Sequence, residues 1–144
     1  MSGTVQAIDH PADTGIEVWA DTLPELFELA VQGLMNTAVV HPQAIIDSQQ
    51  KIITATGNDL PELMINFLSE FLYLIDTENF VIARCRVAEL QTKIPPLNIQ
   101  AAVGGEIFDS QRHSSATDIK AITYHQMIIE QSGNQWHAKI IFDI

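Results

Sequence analysis

Residues 23–38 read LPELFELAVQGLMNTA, and residues 60–75 read LPELMINFLSEFLYLI. Both segments are apolar, and both begin with the same four residues. Thr22 or Asp59 stands before the leucine as an N-cap, and Glu25 or Glu62 follows three residues later, which is the spacing of a capping box. The proline falls in the first turn, where its missing N–H costs nothing. The pattern therefore predicts two helices with the same N-terminal chemistry.

Each of these segments follows a short stretch that is typical of a strand. GIEVWA (15–20) alternates apolar and other residues before the first segment, and KIITATG (51–57) precedes the second. The order of strand, cap and LPEL helix occurs twice, which suggests two similar β-α units or an internal duplication. Four identical residues also fit shared capping chemistry, so the sequence leaves both interpretations open.

The chain after Asn79 changes to a period of two, which is typical of strands. A tight turn at SGN (132–134) predicts a hairpin, the last third is expected to be an antiparallel β-meander, and IPPL (94–97) should interrupt one strand pair. A turn at Gly133 would place Asp143 roughly opposite Thr123. The alternating segments are FVIARCRVAEL (80–90), NIQAAVGGEIF (98–108), TDIKAITYHQMIIEQ (117–131) and QWHAKIIFDI (135–144).

Two early helices and a late run of strands predict an α+β fold. We expect a two-layer sandwich in which the two main helices pack on a largely antiparallel sheet. The long polar stretch 104–117 is interpreted as a functional loop, and Gly104 and Gly105 as a bend or bulge.

The composition is that of one ordinary globular domain. The chain has 144 residues, 47% of them apolar, and a net charge of −11. This charge opposes tight binding to nucleic acid and favours a cation or a basic partner surface, although solubility alone also explains an acidic chain. A single cysteine, Cys85, excludes an intrachain disulfide. No signal peptide or membrane span is recognisable, so the expected compartment is the cytoplasm and no membrane contact is expected.

Two aspartates are candidates for a metal site. Asp13 lies in HPADTG (10–15), and Asp143 is followed only by Ile144, so carboxylate and carbonyl oxygens crowd the chain end. Such oxygens suit a hard cation. Taken separately, Asp13 also fits an Asx-turn and Asp143 a solvated strand end, and spacing alone does not bring them together.

The other polar residues give weaker indications. His10, His113 and His125 could serve acid-base or metal chemistry, but their spacing matches no zinc signature. His41 and His137 are interpreted as surface residues. A local positive group around the polar loop could contact a phosphate or an acidic partner, or could simply form salt bridges. Its members are Arg112, His113, Lys120 and Tyr124.

Five blocks in order, from about residue 8 to the last residue, together resemble the archease family. They are HPADTGIEVWADTLPELFELAVQGL, GNDLPELMINFLSEFLYLID, GEIFDSQRH, KAITYHQM and the terminal IFDI. One departure is Pro11, where the family often has threonine after the histidine.

The resemblance implies an accessory protein rather than an enzyme. Archeases assist the RtcB-type RNA ligase of tRNA splicing, whose histidine is guanylylated from GTP, and are understood to promote that guanylylation and multiple turnover. The family binds a divalent cation, typically calcium in crystals, and the resemblance carries this role to Asp13, Asp143 and the backbone of Ile144. Glu106 and Asp109 rank as further contributors, and His10 as a secondary candidate.

Two other functions stay open at this point. A general chaperone or modulator of RNA-processing enzymes would bind many partners. A stand-alone metal-dependent hydrolase would use Asp13, Asp143 and a histidine, but no paired base and nucleophile can be named from the sequence.

Overall fold

A computed structural model of the chain describes residues 3–9 and 13–144, with only the backbone described at Asp9 and Asp13. These described residues form two long helices, a short 3₁₀ turn at Pro42–Ala44 and seven strands. The helices are α1 (Leu23–Ala38) and α2 (Leu60–Glu78). The strands are β1 (Thr4–Asp9), β2 (Asp13–Ala20), β3 (Gln49–Gly57), β4 (Phe80–Gln91), β5 (Leu97–Ile107), β6 (Ala121–Ser132) and β7 (Gln135–Asp143).

Both helices begin where the LPEL pattern predicts. The Thr22 hydroxyl accepts the Glu25 N–H at 3.3 Å, and the Asp59 carboxylate accepts the Glu62 N–H at 2.9 Å. Each glutamate reaches back and accepts an N–H from the residue before the cap, at Asp21 or Asn58. The two helix starts therefore share their hydrogen bonds as well as their sequence.

The strands divide between two antiparallel sheets. One has the order β1-β2-β7-β6, and the other has the order β3-β5-β4. The predicted α+β class with two helices on antiparallel sheet is confirmed, but the predicted β-meander is wrong, because β4-β5 and β6-β7 are hairpins of different sheets. Alternation identifies a strand and does not identify its partner.

The chain contains two units with the same order of elements. In one unit, strand β3 leads into α2 and then into the hairpin β4-β5, whose last strand pairs with β3. In the other, β2 leads into α1, and the hairpin β6-β7 returns much later to pair β7 with β2. The β3 unit is thus inserted into the β2 unit, between α1 and β6, which agrees with the repeated β-α units that the sequence suggests.

Each helix packs on the strand that precedes it and on the outer hairpin strand of the other unit. Helix α1 contacts β2 and β4, and α2 contacts β3 and β6. The core between them is aromatic, with Phe27 edge-on to Phe67 and Phe67 edge-on to Phe71. Neither helix in the described ranges is long and apolar enough to cross a membrane.

A β-bulge changes the predicted register of the last hairpin. The turn is at Gly133, whose φ is +62°, as expected. Further along, the β6 residues from Thr123 to Ile128 span only Ile141 to Lys139 on β7. Asp143 therefore lies opposite Ala121 rather than Thr123. The extra β6 residues shift the pairing by an amount that no alternation pattern shows.

Candidate functional site

The first region of interest is the end of β7, where the two candidate aspartates meet. Backbone pairing of β2 with β7 places Asp13 directly opposite Asp143. Residues opposite each other in an antiparallel pair have Cα atoms about 5 Å apart. On the other side of β7, the Lys120 N–H donates to the Asp143 carbonyl at 2.7 Å. Two residues 130 positions apart in sequence are thus neighbours in the sheet.

The donor atoms at this chain end suit a hard cation. Asp143 is exposed, Ile144 is 40% exposed, and no described residue donates a hydrogen bond to the Asp143 carboxylate. Carboxylate and carbonyl oxygens are the ligands that calcium prefers. Among the side chains that the structure describes, no group of three or more His, Cys, Asp or Glu could hold a metal ion. His10 and Pro11 lie outside the described residues.

The second region is built on Glu106, which lies inside β5 and not in a loop. The predicted loop 104–117 is therefore wrong for residues 104–107, which pair with β3 and β4. Gly104 and Gly105 suit this strand because a Cβ at Gly104 would strike the Asp47 carboxylate and one at Gly105 would strike the Val81 carbonyl. A bulge does occur here, but in the facing strand β4, between Ile82 and Arg84.

The Glu106 carboxylate accepts hydrogen bonds from three residues. Its donors are the Ile46 N–H at 2.7 Å, the two terminal nitrogens of Arg112 at 2.9 and 2.7 Å, and His113 Nε2 at 2.9 Å. Only 9% of Glu106 is exposed, and His113 is fully buried. By accepting these hydrogen bonds, the Glu106 carboxylate joins three segments of the chain: β5, the turn before β3 and the loop after β5.

His113 has both ring nitrogens occupied. Nδ1 accepts the Asp109 N–H at 2.9 Å, so Nε2 carries the proton that faces Glu106. The Asp109 carboxylate in turn accepts N–H groups of Gln111 and Arg112 and the Arg112 Nε. We call Glu106, Asp109, Arg112 and His113 the Glu106 cluster. Its histidine has no free nitrogen for a metal or a substrate.

The electrostatics of the Glu106 cluster favour charged carboxylates. The bond from Arg112 is the largest cause that lowers the pKa of Glu106 to about 2, and the bonds from Ile46 and His113 add to it against the opposing effect of burial. The pKa of Asp109 is also lowered, chiefly by the Gln111 N–H. Both carboxylates are therefore ionised whenever the protein is folded near neutral pH.

The predicted positive group is divided in the structure. Arg112 and His113 belong to the Glu106 cluster, whereas Lys120 lies beside the Asp143 end and the exposed Tyr124 lies in β6. The loop 108–120 connects the two places. It runs along the C-terminal end of α1, where Ala116 and Thr117 donate their N–H groups to the carbonyls of Ala38 and Thr37.

The sequence does not indicate two contacts of His137 or the raised pKa of Cys85. His137 is half-buried instead of exposed: it bonds Glu17 at 2.8 Å and stacks on Trp19 at 5.2 Å. Trp19 lies opposite His137 in the β2–β7 pair, and Glu17 is two residues before Trp19 on the same strand, a signal that appears only once the pairing is known. Burial raises the pKa of the Cys85 thiol to about 12, so this cysteine stays protonated and unreactive.

Comparisons with known proteins agree with this picture. Residues 6–144 match the model of the Archease protein family (MTH1598/TM1083). A Protein archease from Pyrococcus furiosus is 35% identical over 137 residues, which cover 94% of this chain and 95% of the relative. One from Methanosarcina acetivorans is 30% identical, with 95% and 93% covered.

Two solved structures share the fold. The solution structure of Methanobacterium thermoautotrophicum protein 1598 has a TM-score of 0.80 at 23% identity and covers 97% of this chain and 98% of its own. The crystal structure of an archease from Thermotoga maritima, titled a possible chaperone, has a TM-score of 0.63 at 19% identity, with 95% and 94% covered. The resemblance inferred from the five sequence blocks is confirmed, and the chain belongs to the archease family.

Proposed function

We propose that this protein activates an RtcB-type RNA ligase in tRNA splicing by promoting guanylylation of the ligase and multiple turnover. The proposal rests on family membership and on what the family resemblance implies. The observation that carries it is the pairing of Asp13 with Asp143, which brings the two proposed metal ligands to adjacent strands.

In this proposal Asp13, Asp143 and the backbone oxygen of Ile144 hold a divalent cation, with calcium the expected ion in crystals. When bound, the cation supplies positive charge that can meet phosphate oxygens during nucleotide loading. The described residues hold the end of β7 in place. The Lys120 N–H donates to the Asp143 carbonyl, and the Glu106 cluster anchors the loop that carries Lys120. Six to eight oxygens surround calcium, so further ligands complete the shell.

Charge supports a protein partner over direct RNA binding. A ligase that acts on RNA must present basic groups to the phosphate backbone, and a chain of net charge −11 is complementary to such a surface. The role of activator is also favoured because two side chains with the chemistry of a nucleophile or a base, Cys85 and His113, are not available for catalysis. The first is held protonated and the second has both nitrogens bonded.

The test is a ligation assay with the partner ligase, GTP, divalent metal and a broken tRNA. We expect wild-type protein to raise the number of turnovers, and Asp13→Asn or Asp143→Asn to lose most of that stimulation. Glu130→Gln, an exposed carboxylate on β6, is the matched control and should stimulate as wild type does. Equal stimulation by all four proteins would refute the metal-site version, and no stimulation by wild type would refute the activator role.

A second candidate function is a general chaperone or modulator of RNA-processing enzymes. It is favoured by the Thermotoga maritima relative, whose structure is titled a possible chaperone. Affinity capture from the source cell distinguishes the two functions. One dominant ligase favours the dedicated activator, and many partners of similar abundance favour the chaperone.

A further inference from the structure

In the part of the chain that the structure describes, three of the four outer strands of the two sheets are short, bulged or covered. Strand β1 has only six residues, and β6 carries the bulge near Gln126, whose φ is +52°. Strand β4 has two register shifts and is covered by α1. Here Glu28 accepts the Val87 N–H at 2.9 Å and the Met35 sulfur accepts the Ile82 N–H at 3.4 Å. Such features protect sheet edges from pairing with other chains.

Strand β3 is the exception. It pairs with β5 over nine residues without a register shift, and in the described part of the chain it pairs with no other strand. It has no proline, and its one charged residue, Lys51, bonds Glu78 at 3.1 Å. Ile52 is 62% exposed. A regular, nearly uncharged edge of this length is a template for an added strand.

In the β2 unit, a strand already occupies the position that corresponds to the open edge of β3. There β1 pairs antiparallel with the outer edge of β2, the strand equivalent to β3. Helix α1 is shaped to receive β1: a Cβ at Gly33 would come within 2.9 Å of Val5, and Gly33 and Leu29 are both buried. The chain before β3 instead turns away, and Asp47 bonds Arg84 of β4 at 2.7 Å.

Aligning the two LPEL motifs identifies the surface that an added strand would meet. Leu29 and Gly33 of α1 correspond to Asn66 and Glu70 of α2, and both of these are exposed. Asn66 already reaches the β3 edge, since its amide donates to the Thr56 carbonyl at 2.7 Å. One turn beyond Glu70 lies Tyr73, which is 61% exposed. The β1 equivalent would therefore face a polar, acidic stripe with one aromatic ring.

We propose that the β3 edge binds an extended, basic segment of a partner protein, paired antiparallel in the place that β1 takes on β2. Main-chain hydrogen bonds to β3 would supply affinity, and a lysine or arginine facing Glu70 and Tyr73 would supply specificity. A second copy of this chain fits less well, because it would bring two Glu70 stripes and two net charges of −11 together.

The probe is a fluorescent nine-residue peptide that alternates threonine and lysine. A second peptide of the same charge has its central threonine replaced by proline, which removes a donor and prevents strand pairing. We expect saturable binding of the first peptide to wild-type protein, and binding weaker by about tenfold for the proline peptide. Amide exchange should slow in β3 when the first peptide is added.

Protein variants separate strand addition from general attraction to an acidic surface. Glu70→Lys should weaken binding by about tenfold, whereas the same charge reversal at Glu130, on β6, should change it less than about twofold. Equal binding of both peptides, or equal loss in the two variants, would overturn the proposal. A wild-type dimer whose β3 amides are already protected without peptide would assign the edge to a second copy and would also overturn it.

Discussion

Two acidic places in this molecule differ in how their oxygens are used. At the Glu106 cluster, Glu106 is nearly buried and accepts from a backbone N–H, a guanidinium and an imidazole. At the end of β7, Asp143 is exposed and accepts only a backbone bond, at its carbonyl, from the described residues. The described residues fill the lone pairs of the Glu106 carboxylate and donate no hydrogen bond to the Asp143 carboxylate.

The contrast separates a structural role, that of Glu106, from the binding role proposed for Asp143. A buried carboxylate whose donors come from two other segments stabilises the fold, because each lost donor weakens the pairing of a buried charge. An exposed carboxylate beside another aspartate contributes little to folding, and two adjacent negative charges are a place where a cation is favoured. Stability and ion binding should therefore respond to different substitutions.

The largest change in stability is expected from His113→Phe. The ring keeps its approximate shape, but the Asp109 N–H loses its imidazole acceptor, and the Glu106 carboxylate loses one of its buried donors while keeping Ile46 and Arg112. We expect a loss of about 2–4 kcal/mol in the free energy of unfolding. Urea denaturation measures it, with the exposed His125→Phe as the control, which should lie within about 0.5 kcal/mol of wild type. Equal stability of the two variants would mean that the buried bonds contribute nothing.

Acid should lower the stability of the protein by protonating the carboxylates of the Glu106 cluster. The pKa of Glu106 is about 2 in the folded protein against a usual 4.5. Its stabilising effect is therefore fully present above about pH 4.5 and is lost as the pH falls toward 2. The lowered pKa values of Asp47 and Asp109 act in the same direction. The urea midpoint of wild type should fall below pH 4.5, and more gently in Glu106→Gln. Identical acid profiles would contradict this assignment.

Substitutions of the helix caps should have effects on stability between those at the Glu106 cluster and those at Asp143. Each cap side chain is exposed but accepts one hydrogen bond from a backbone N–H. Asp59→Ala removes the acceptor of the Glu62 N–H, and Thr22→Ala removes that of the Glu25 N–H. Each should cost about 1 kcal/mol, and the double variant should show nearly additive losses because the caps serve different helices. Thermal denaturation followed by far-UV circular dichroism measures both. A strongly non-additive result would show that the two units are coupled at their helix starts.

The smallest change in stability is expected from Asp143→Asn. No described residue bonds its carboxylate, so the free energy of unfolding in chelator should stay within about 0.5 kcal/mol of wild type. Urea denaturation with and without calcium measures it. Calcium should stabilise wild type and not the variant. A large loss in chelator would instead show that Asp143 supports the fold.

Local signals predicted the helices well and the pairing of strands poorly. Thr22 and Asp59 act as caps because capping depends on residues within one turn. The division into two sheets depends on which hairpin meets β2 or β3, and the register of Asp143 depends on a bulge around Gln126. Glu106 falls both in the alternating segment 98–108 and in the polar stretch 104–117, and the paired glycines favour a bend there. In the structure these glycines stay in the strand, where they let Asp47 and the Val81 carbonyl approach.

The pairing of the two candidate metal ligands has no local signal in the sequence. Nothing in the spacing of Asp13 and Asp143 indicates that they meet, and their pairing was expected only from the resemblance to the archease family. The backbone register supplies the geometric support, because β2 and β7 come together from opposite ends of the chain. His113 is the opposite case, because the sequence suggests acid-base or metal chemistry for it but both of its ring nitrogens make hydrogen bonds that stabilise the fold.

Calcium titration by isothermal calorimetry tests the central claim most directly. Wild-type protein should bind one ion, and both Asp13→Asn and Asp143→Asn should weaken that binding by about 10-fold or more. His113→Phe, under conditions where it is folded, should keep it. Binding by Asp143→Asn that equals wild type would contradict the account, because the ion would then lie elsewhere than between Asp13 and the end of the chain.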